Sequence, residues 1–322
     1  MMKRFPLFLL LAVLAVPARA EKLTFMPVWT PQAQFAGYYV AQEMGFYTDE
    51  GLDVTINHVG INSTQLPLEA LLDGNAQIIS QQLMQAVISR SNGAPLINIL
   101  QTSQNSALMC VAHTQISKPE DLNGMKIATW TSGHSETFDL MVKEKQLDVE
   151  MIPSLQCSNL YFFDAVDATL CYSYNEFYEL LFAKGPRIAD MNIDLGTCGY
   201  NYPEDGLYVT EEWLKDHADE AARFVKASIR GWQYCREHTD EVLDVVMKYV
   251  RENNVVTSVM HQKLMLLQML NLLVNPVSDE ADFQPITREC FVEMEGKMRK
   301  YGFFETPVSY DELIHPLNVV EP

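Results

Sequence analysis

The sequence predicts an α/β protein of two lobes joined by a two-strand hinge. Three observations carry this expectation. Strands alternate with helices through the first hundred residues, which implies a parallel sheet with helices on both faces. A polar connector, Pro119 to Gly124, then precedes a fresh strand and a second alternating run. Finally, the short apolar segment Gly206 to Thr210 leads back into a remainder that is helical to its end. A chain that leaves one lobe and later returns makes two crossings, and paired crossings form a hinge. The expected division is a leader at 1–20, a first lobe from 21–111 and 215–322, and a second lobe at 112–214.

The elements follow in order. Leu23 to Val28 is a first strand ending at Trp29. Thr30 and Pro31 read as a helix start, with a hydroxyl for an orphan amide and a ring that pre-sets φ. Ala33, Ala36, Tyr39, Val40 and Met44 fall at helical spacing, Gly45 supplies a left-handed stop, and Leu52, Val54 and Ile56 alternate as a strand. Helices are expected at 66–72 and 83–91, with strands at 77–80 and 96–101. The second lobe brings strands at 108–113, 125–130, 149–152 and 168–172, with helices opening after Ser135 and near Glu176. Helices at 211–217, 220–238, 240–253, 257–273 and 287–301 have apolar residues at three and four spacing. The tail after Phe304, with Pro307, Pro316 and Pro322, reads as a wrapping or loose segment.

Trp29, Pro31, Ala36, Gly37, Tyr39 and Ala41, followed by Gly45, Phe46, Tyr47, Glu50, Gly51, Leu52 and Val54, form an ungapped pattern. It resembles the opening of the NMT1/THI5-like binding proteins: an aromatic and a proline, A-G-x-Y-x-A, then G-[FY]-[FY]-x-x-E-G-L-x-V. Weaker resemblance runs to about Met265. It implies a type II periplasmic binding protein fold and the solute-binding role in an ABC importer, commonly for a pyrimidine precursor of thiamine. Relatives take riboflavin, alkanesulfonates or nitrate. A closed, loaded form would dock on a permease in the inner membrane, with a sensor subunit as the rival role. The THI5 branch makes the pyrimidine itself, using a lysine-held pyridoxal phosphate and a CCCFC motif. Here the corresponding string is Cys157-Ser158-Asn159-Leu160-Tyr161, and no lysine occurs between Lys22 and Lys118, so that chemistry lacks its amine.

The chain has 322 residues, 48% of them hydrophobic, enough for one or two ordinary cores. Lys3 and Arg4 precede the apolar run Phe5 to Val16, and Ala18-Arg19-Ala20 fits small-x-small cleavage, so residues 1–20 are expected to be a secretory signal to the periplasm. Its removal takes three positive charges from a formal net charge of −19, leaving −22. Such a surface repels phosphate backbones and anionic lipid, which argues against nucleic acid or bilayer partners. Phe162, Phe163 and Leu264 to Leu273 are apolar in short or mixed runs and read as core. The six cysteines match no zinc spacing; they read as buried thiols, with Cys157 to Cys171 as the alternative bridge. A monomer with no cofactor is expected.

No G-x-S-x-G and no metal-ligand cluster appears, and His134 beside Ser132 and Ser135 is sequence adjacency rather than nucleophile geometry. No catalytic residue is assigned. The same residues suit binding. Trp29 and Tyr38, with Tyr174 from the other lobe, offer flat faces to a planar heterocycle. Gln34, Gln82 and Asn105 can each donate and accept. Glu176 opens a helix just past a strand, where ligands sit in open α/β sheets, and could accept from an exocyclic amine. The turn through Ser132, Gly133 and His134 is a helix entry whose amides could meet an anion. Between Leu23 and Ser117 the only basic residue is Arg90, so a neutral or cationic amine-bearing heterocycle is expected over sulfonate, nitrate or phosphate.

Overall fold

The computed structural model describes residues 20–61, 63–131, 133–274 and 283–317. The expected leader, 1–20, lies outside them but for Ala20, and Ser132 lies outside them as well. Ten strands form: β1 Glu21–Met26, β2 Leu52–Ile56, β3 Ile78–Gln82, β4 Leu96–Gln101, β5 Leu108–Ala112, β6 Lys126–Trp130, β7 Glu150–Ser154, β8 Ala168–Tyr172, β9 Asn192–Asp194 and β10 Asp205–Thr210. They make two five-stranded sheets, ordered β2-β1-β3-β10-β4 and β7-β6-β8-β5-β9.

Neither sheet is wholly parallel, contrary to the expectation from strand–helix alternation. β1 runs parallel to β2 and β3, but β10 is antiparallel to both β3 and β4. Likewise β6 is parallel to β7 and β8, while β5 is antiparallel to β8 and β9. The inverted strands are those next to the crossings. A strand that enters one sheet directly from the other, with no helical crossover, is free to run either way. The same strands move the lobe boundaries: β5 was expected in the first lobe and β10 in the second, and each belongs to the other sheet.

The two crossings, between β4 and β5 and between β9 and β10, are bound together. The Ser103 hydroxyl accepts from the backbone N–H of Glu204 and of Asp205, each at 2.9 Å. The Ser106 hydroxyl donates to Glu204 Oε1 at 2.8 Å, and the Ser106 N–H donates to Asn201 Oδ1 at 2.8 Å.

The first helix does not start at Pro31. A 3-10 turn at Ala33–Phe35 leads into Ala36–Glu43, and neither has a side-chain cap of its own. The cap comes from far along the chain: the Ala33 N–H donates to Gln262 Oε1 at 2.7 Å. Gly45 takes φ +75° and ends the helix as expected. The C-terminal helices lie within two residues of their predicted ends: Glu211–Asp216, Ala218–Glu237, Thr239–Glu252, Val259–Leu272 and Arg288–Lys300. The tail wraps the first lobe, with His315 and Leu317 N–H donating to the carbonyls of Asn98 and Ile99 on β4. Phe163 is 83% exposed rather than in the core. None of the six cysteines is disulfide-bonded. Among the described residues no helix is long and apolar enough to cross a membrane.

Ala36–Glu43 packs on Ala218–Glu237 through two glycines. A Cβ at Gly231 would sit 2.0 Å from the Gly37 carbonyl oxygen, and one at Gly37 would sit 2.3 Å from the Trp232 ring. Gly296, in Arg288–Lys300, has no neighbour within 4 Å of such an atom. Gly231→Ala must therefore prise two helices apart, an overpacking cost of about 1–3 kcal/mol or more. Gly296→Ala gains helix propensity, roughly 0.5–1 kcal/mol. Urea unfolding of the two variants is expected to move in opposite directions; a shared direction would contradict this packing.

Candidate functional site

The lobes meet over a narrow cleft whose wall includes Trp29, Gln32 and Gln34 from the first lobe and Trp130, Tyr174 and Glu176 from the second. Trp29 stands in the loop after β1. Trp130 and Tyr172 are the last residues of β6 and β8, so three strand ends deliver three aromatic rings to one space. Tyr172 lies between Trp130 and Tyr174 in a stack, with ring centroids 5.1 and 5.2 Å away and planes inclined by 29° and 15°. His134 presents its ring edge-on to Trp29 across the cleft, at 5.5 Å and 86°. Its Nδ1 is buried with no hydrogen-bond partner, the kind of atom a bound molecule could satisfy.

Glu176 opens the helix Glu176–Lys184 as expected. Its carboxylate accepts from the Tyr172 N–H and from Asn175 Nδ2, both at 3.0 Å. Each carboxylate oxygen has capacity for a second donor. Burial pushes its pKa up to about 7, partly offset by the Tyr172 N–H. Gln34 is buried; its amide donates to Asp205 Oδ2 at 2.7 Å and its oxygen accepts from Gln32 at 2.6 Å. A chain of polar contacts thus runs from the cleft wall to the hinge.

Direct ties hold the lobes closed, among them Thr137 Oγ1 to Met84 Sδ at 3.2 Å, Lys143 to the Tyr301 carbonyl at 3.0 Å and the Lys297–Glu144 pair at 3.4 Å. The Gln82 amide donates to the Tyr172 hydroxyl. His261 Nε2 lies 2.9 Å from Asn175 Oδ1, and Gln268 donates to Ser173 Oγ at 3.3 Å. Gln82 therefore serves closure, at the cavity's edge.

Two expected site residues do not reach the cleft. Tyr38 is 2% exposed, packed between Phe25 and Trp232, with its hydroxyl 3.0 Å from Thr102 Oγ1 in the first-lobe core. The helix carrying it is covered on almost every side, so its ring has no route to the cavity. Asn105 sits on the outgoing crossing, donating to the Val274 carbonyl and accepting from Asn201 Nδ2. Gly133, at φ +77°, and His134 lie beside the cavity, but the helix that follows begins with Glu136. Burial pushes that carboxyl up to about 7, and its acidity suits no anion. Arg90 is engaged by Glu211 and the Leu96 carbonyl, away from the cleft. Among the described residues no lysine or arginine lines this cavity.

At the hinge, burial above all pushes Glu204 up to about 8, with the Asp205 charge adding to it, while burial pushes Asp205 up to about 6 against the Gln34 hydrogen bond. Burial lowers His134 to about 4. A carboxyl with a raised folded pKa keeps its proton after the unfolded chain has lost it. Its stabilisation is present in full below its ordinary value of 4.5 and is lost as pH rises through about 8. His134 acts oppositely, costing stability as pH falls from 6.5 toward 4. Between pH 6.5 and 8 unfolding free energy is expected to fall with pH, and Glu204→Gln to flatten that slope by at most about 1.4 kcal/mol per pH unit. Urea titrations at several pH values measure it; an unchanged slope would remove Glu204 as its source.

A family profile described as NMT1/THI5 like matches residues 32–242. The riboflavin-binding protein RibY of Chloroflexus aurantiacus is 21% identical over 302 residues, covering 91% of this chain and 84% of its own. A formylaminopyrimidine-binding protein of Halalkalibacterium halodurans is 24% identical over 298 residues, covering 89% and 88%. Among solved structures, the periplasmic aliphatic sulphonate binding protein SsuA of Escherichia coli superposes with a TM-score of 0.65 at 13% identity, over 92% of both chains. That likeness identifies the architecture as the two-lobed type II periplasmic binding protein fold.

Proposed function

This chain belongs to the NMT1/THI5-like family, and from that premise we propose that it is the solute-binding component of an ABC importer, capturing a planar, amine-bearing heterocycle between its lobes. A thiamine pyrimidine precursor, hydroxymethyl- or formylaminopyrimidine, is the cargo that fits the chemistry best. Capture would take place in the periplasm, and the closed form would hand its solute unaltered to a membrane permease.

One observation carries this reading. The Trp130–Tyr172–Tyr174 stack faces Trp29 with a carboxylate beside it and no cation in the wall. Aromatic faces stabilise a flat ring by about 0.5–1.5 kcal/mol per pair beyond area burial. Glu176 supports an exocyclic amine, and its acceptor capacity together with the Gln32 and Gln34 amides matches the donor and acceptor edge of an aminopyrimidine. A sulfonate or nitrate would lack the arginine such anions call for. His134 could donate to a ring nitrogen or carbonyl of the solute. Turnover has no support in the described wall: it holds no nucleophile with an adjacent base, and no hydrogen bond reaches His134 Nδ1.

Thermal shift tests the cargo. At a hundredfold excess over Kd a solute stabilises by about 2.7 kcal/mol, a shift of several degrees. Formylaminopyrimidine or hydroxymethylpyrimidine is expected to give that shift and an alkanesulfonate none; the reverse result would sink the reading. Calorimetric titration extends it to the residues. Glu176→Gln is expected to weaken the pyrimidine roughly 10- to 100-fold, the range for a hydrogen bond to a charged group. In the native protein affinity should rise from pH 6 to pH 8 as Glu176 ionises near 7, and that dependence should vanish in the variant. Mass spectrometry after long incubation should recover the solute intact.

A further inference from the structure

The aromatic box adjoins a second, wider compartment, a cavity of about 350 Å³. Val28, Trp29, Trp130 and His134 line both, and the two meet where Trp29 approaches His134. The far part of the second compartment is walled by Val59, Leu66, Pro67 and Leu68 from the first lobe and Leu155 from the second. Among the described residues no aspartate, glutamate, lysine or arginine lines it.

We propose that this compartment is an annex of the solute site that takes a neutral, apolar arm carried by the planar head. The natural solute is then a substituted heterocycle rather than a bare pyrimidine. The inference rests on the reading of the box as the seat of the head, and three observations favour it. A bare ring seated in the box would leave this adjoining cavity of about 350 Å³ empty. Its polar edge is partly engaged. The Ser80 hydroxyl accepts from the Val28 N–H at 2.8 Å, the Gln81 amide donates to Ser89 at 3.3 Å, and Gln82 donates to Tyr172. A phosphate or sulfonate arm would meet no cation among the described lining residues.

The third observation is at the rim. Leu66 is 57% exposed and Leu155 77%, one from each lobe, and both line the same space. Scattered exposed leucines need no explanation, but two that converge on one cavity from opposite lobes mark a surface an apolar group would cover. An arm held there would also contact both lobes, so the solute itself would favour closure.

The test uses the full chain in calorimetric titration with matched compounds: a 4-aminopyrimidine, its benzyl-substituted counterpart and its phosphonomethyl counterpart. The benzyl compound is expected to bind at least tenfold tighter than the bare head, and the phosphonate no tighter. In the double variant Leu66→Asp, Leu155→Asp, whose changes lie on exposed positions, the ratio of benzyl to bare affinity should fall to about one. Equal or weaker binding of the benzyl compound, or a ratio that survives in the variant, would overturn the annex while leaving the head reading in place. Rim-dependent binding of the benzyl compound with no binding of the bare head would keep the annex and overturn the aminopyrimidine head. Failure of every compound to bind would overturn both.

Discussion

Ser103 takes two backbone hydrogen bonds from the returning crossing, and that clasp binds together the two segments that join the lobes. The donors are Glu204 and Asp205, whose side chains continue the network in opposite directions. Glu204 turns back to Ser106 and the Ala107 N–H on the outgoing crossing. Asp205 turns forward to Gln34, which holds Gln32 in the cleft wall. Hinge and cavity therefore share one buried chain of polar groups. A buried group left without its partner costs about 1–3 kcal/mol, so the chain resists partial rearrangement. Opening the lobes must preserve it or shift it as a unit.

Local signals made most of the architecture legible, and the failures share a cause. Leu83–Ser91, Leu96–Gln101, Ala168–Tyr172 and the opening of Glu176–Lys184 sit where propensity and period put them. What local pattern could not see was distance. Gln262 caps Ala33 from 229 residues away, so a start at Thr30 and Pro31 was plausible and wrong. Tyr38 looks like a cleft ring until Ala218–Glu237 covers its helix, and Asn105 looks like a loop amide until Asn201 arrives beside it.

The site was legible in outline, because ligands in α/β sheets lie at the carboxyl ends of strands. Trp29, Gln34, Tyr174 and Glu176 meet at one cavity on that rule. Trp130 and Tyr172 obey it too, but as strand residues they carried no loop signal. These last strand residues join the loop rings Trp29 and Tyr174 in building the aromatic wall. Charge was the other readable feature. Between Leu23 and Ser117 the one arginine, Arg90, is occupied by Glu211, which leaves the wall to rings, amides and carboxylates.

The strand order carries a consequence for synthesis. β10 lies between β3 and β4, which do not pair with each other, so the first sheet stays split until the ribosome has passed residue 210. The second sheet uses only residues 108–194 and is complete earlier. The nascent chain thus assembles its inserted half before its outer half, with two strand edges waiting unpaired meanwhile. Such edges invite pairing with other chains, which makes the interval before β10 docks the stage at which this protein is most exposed to aggregation.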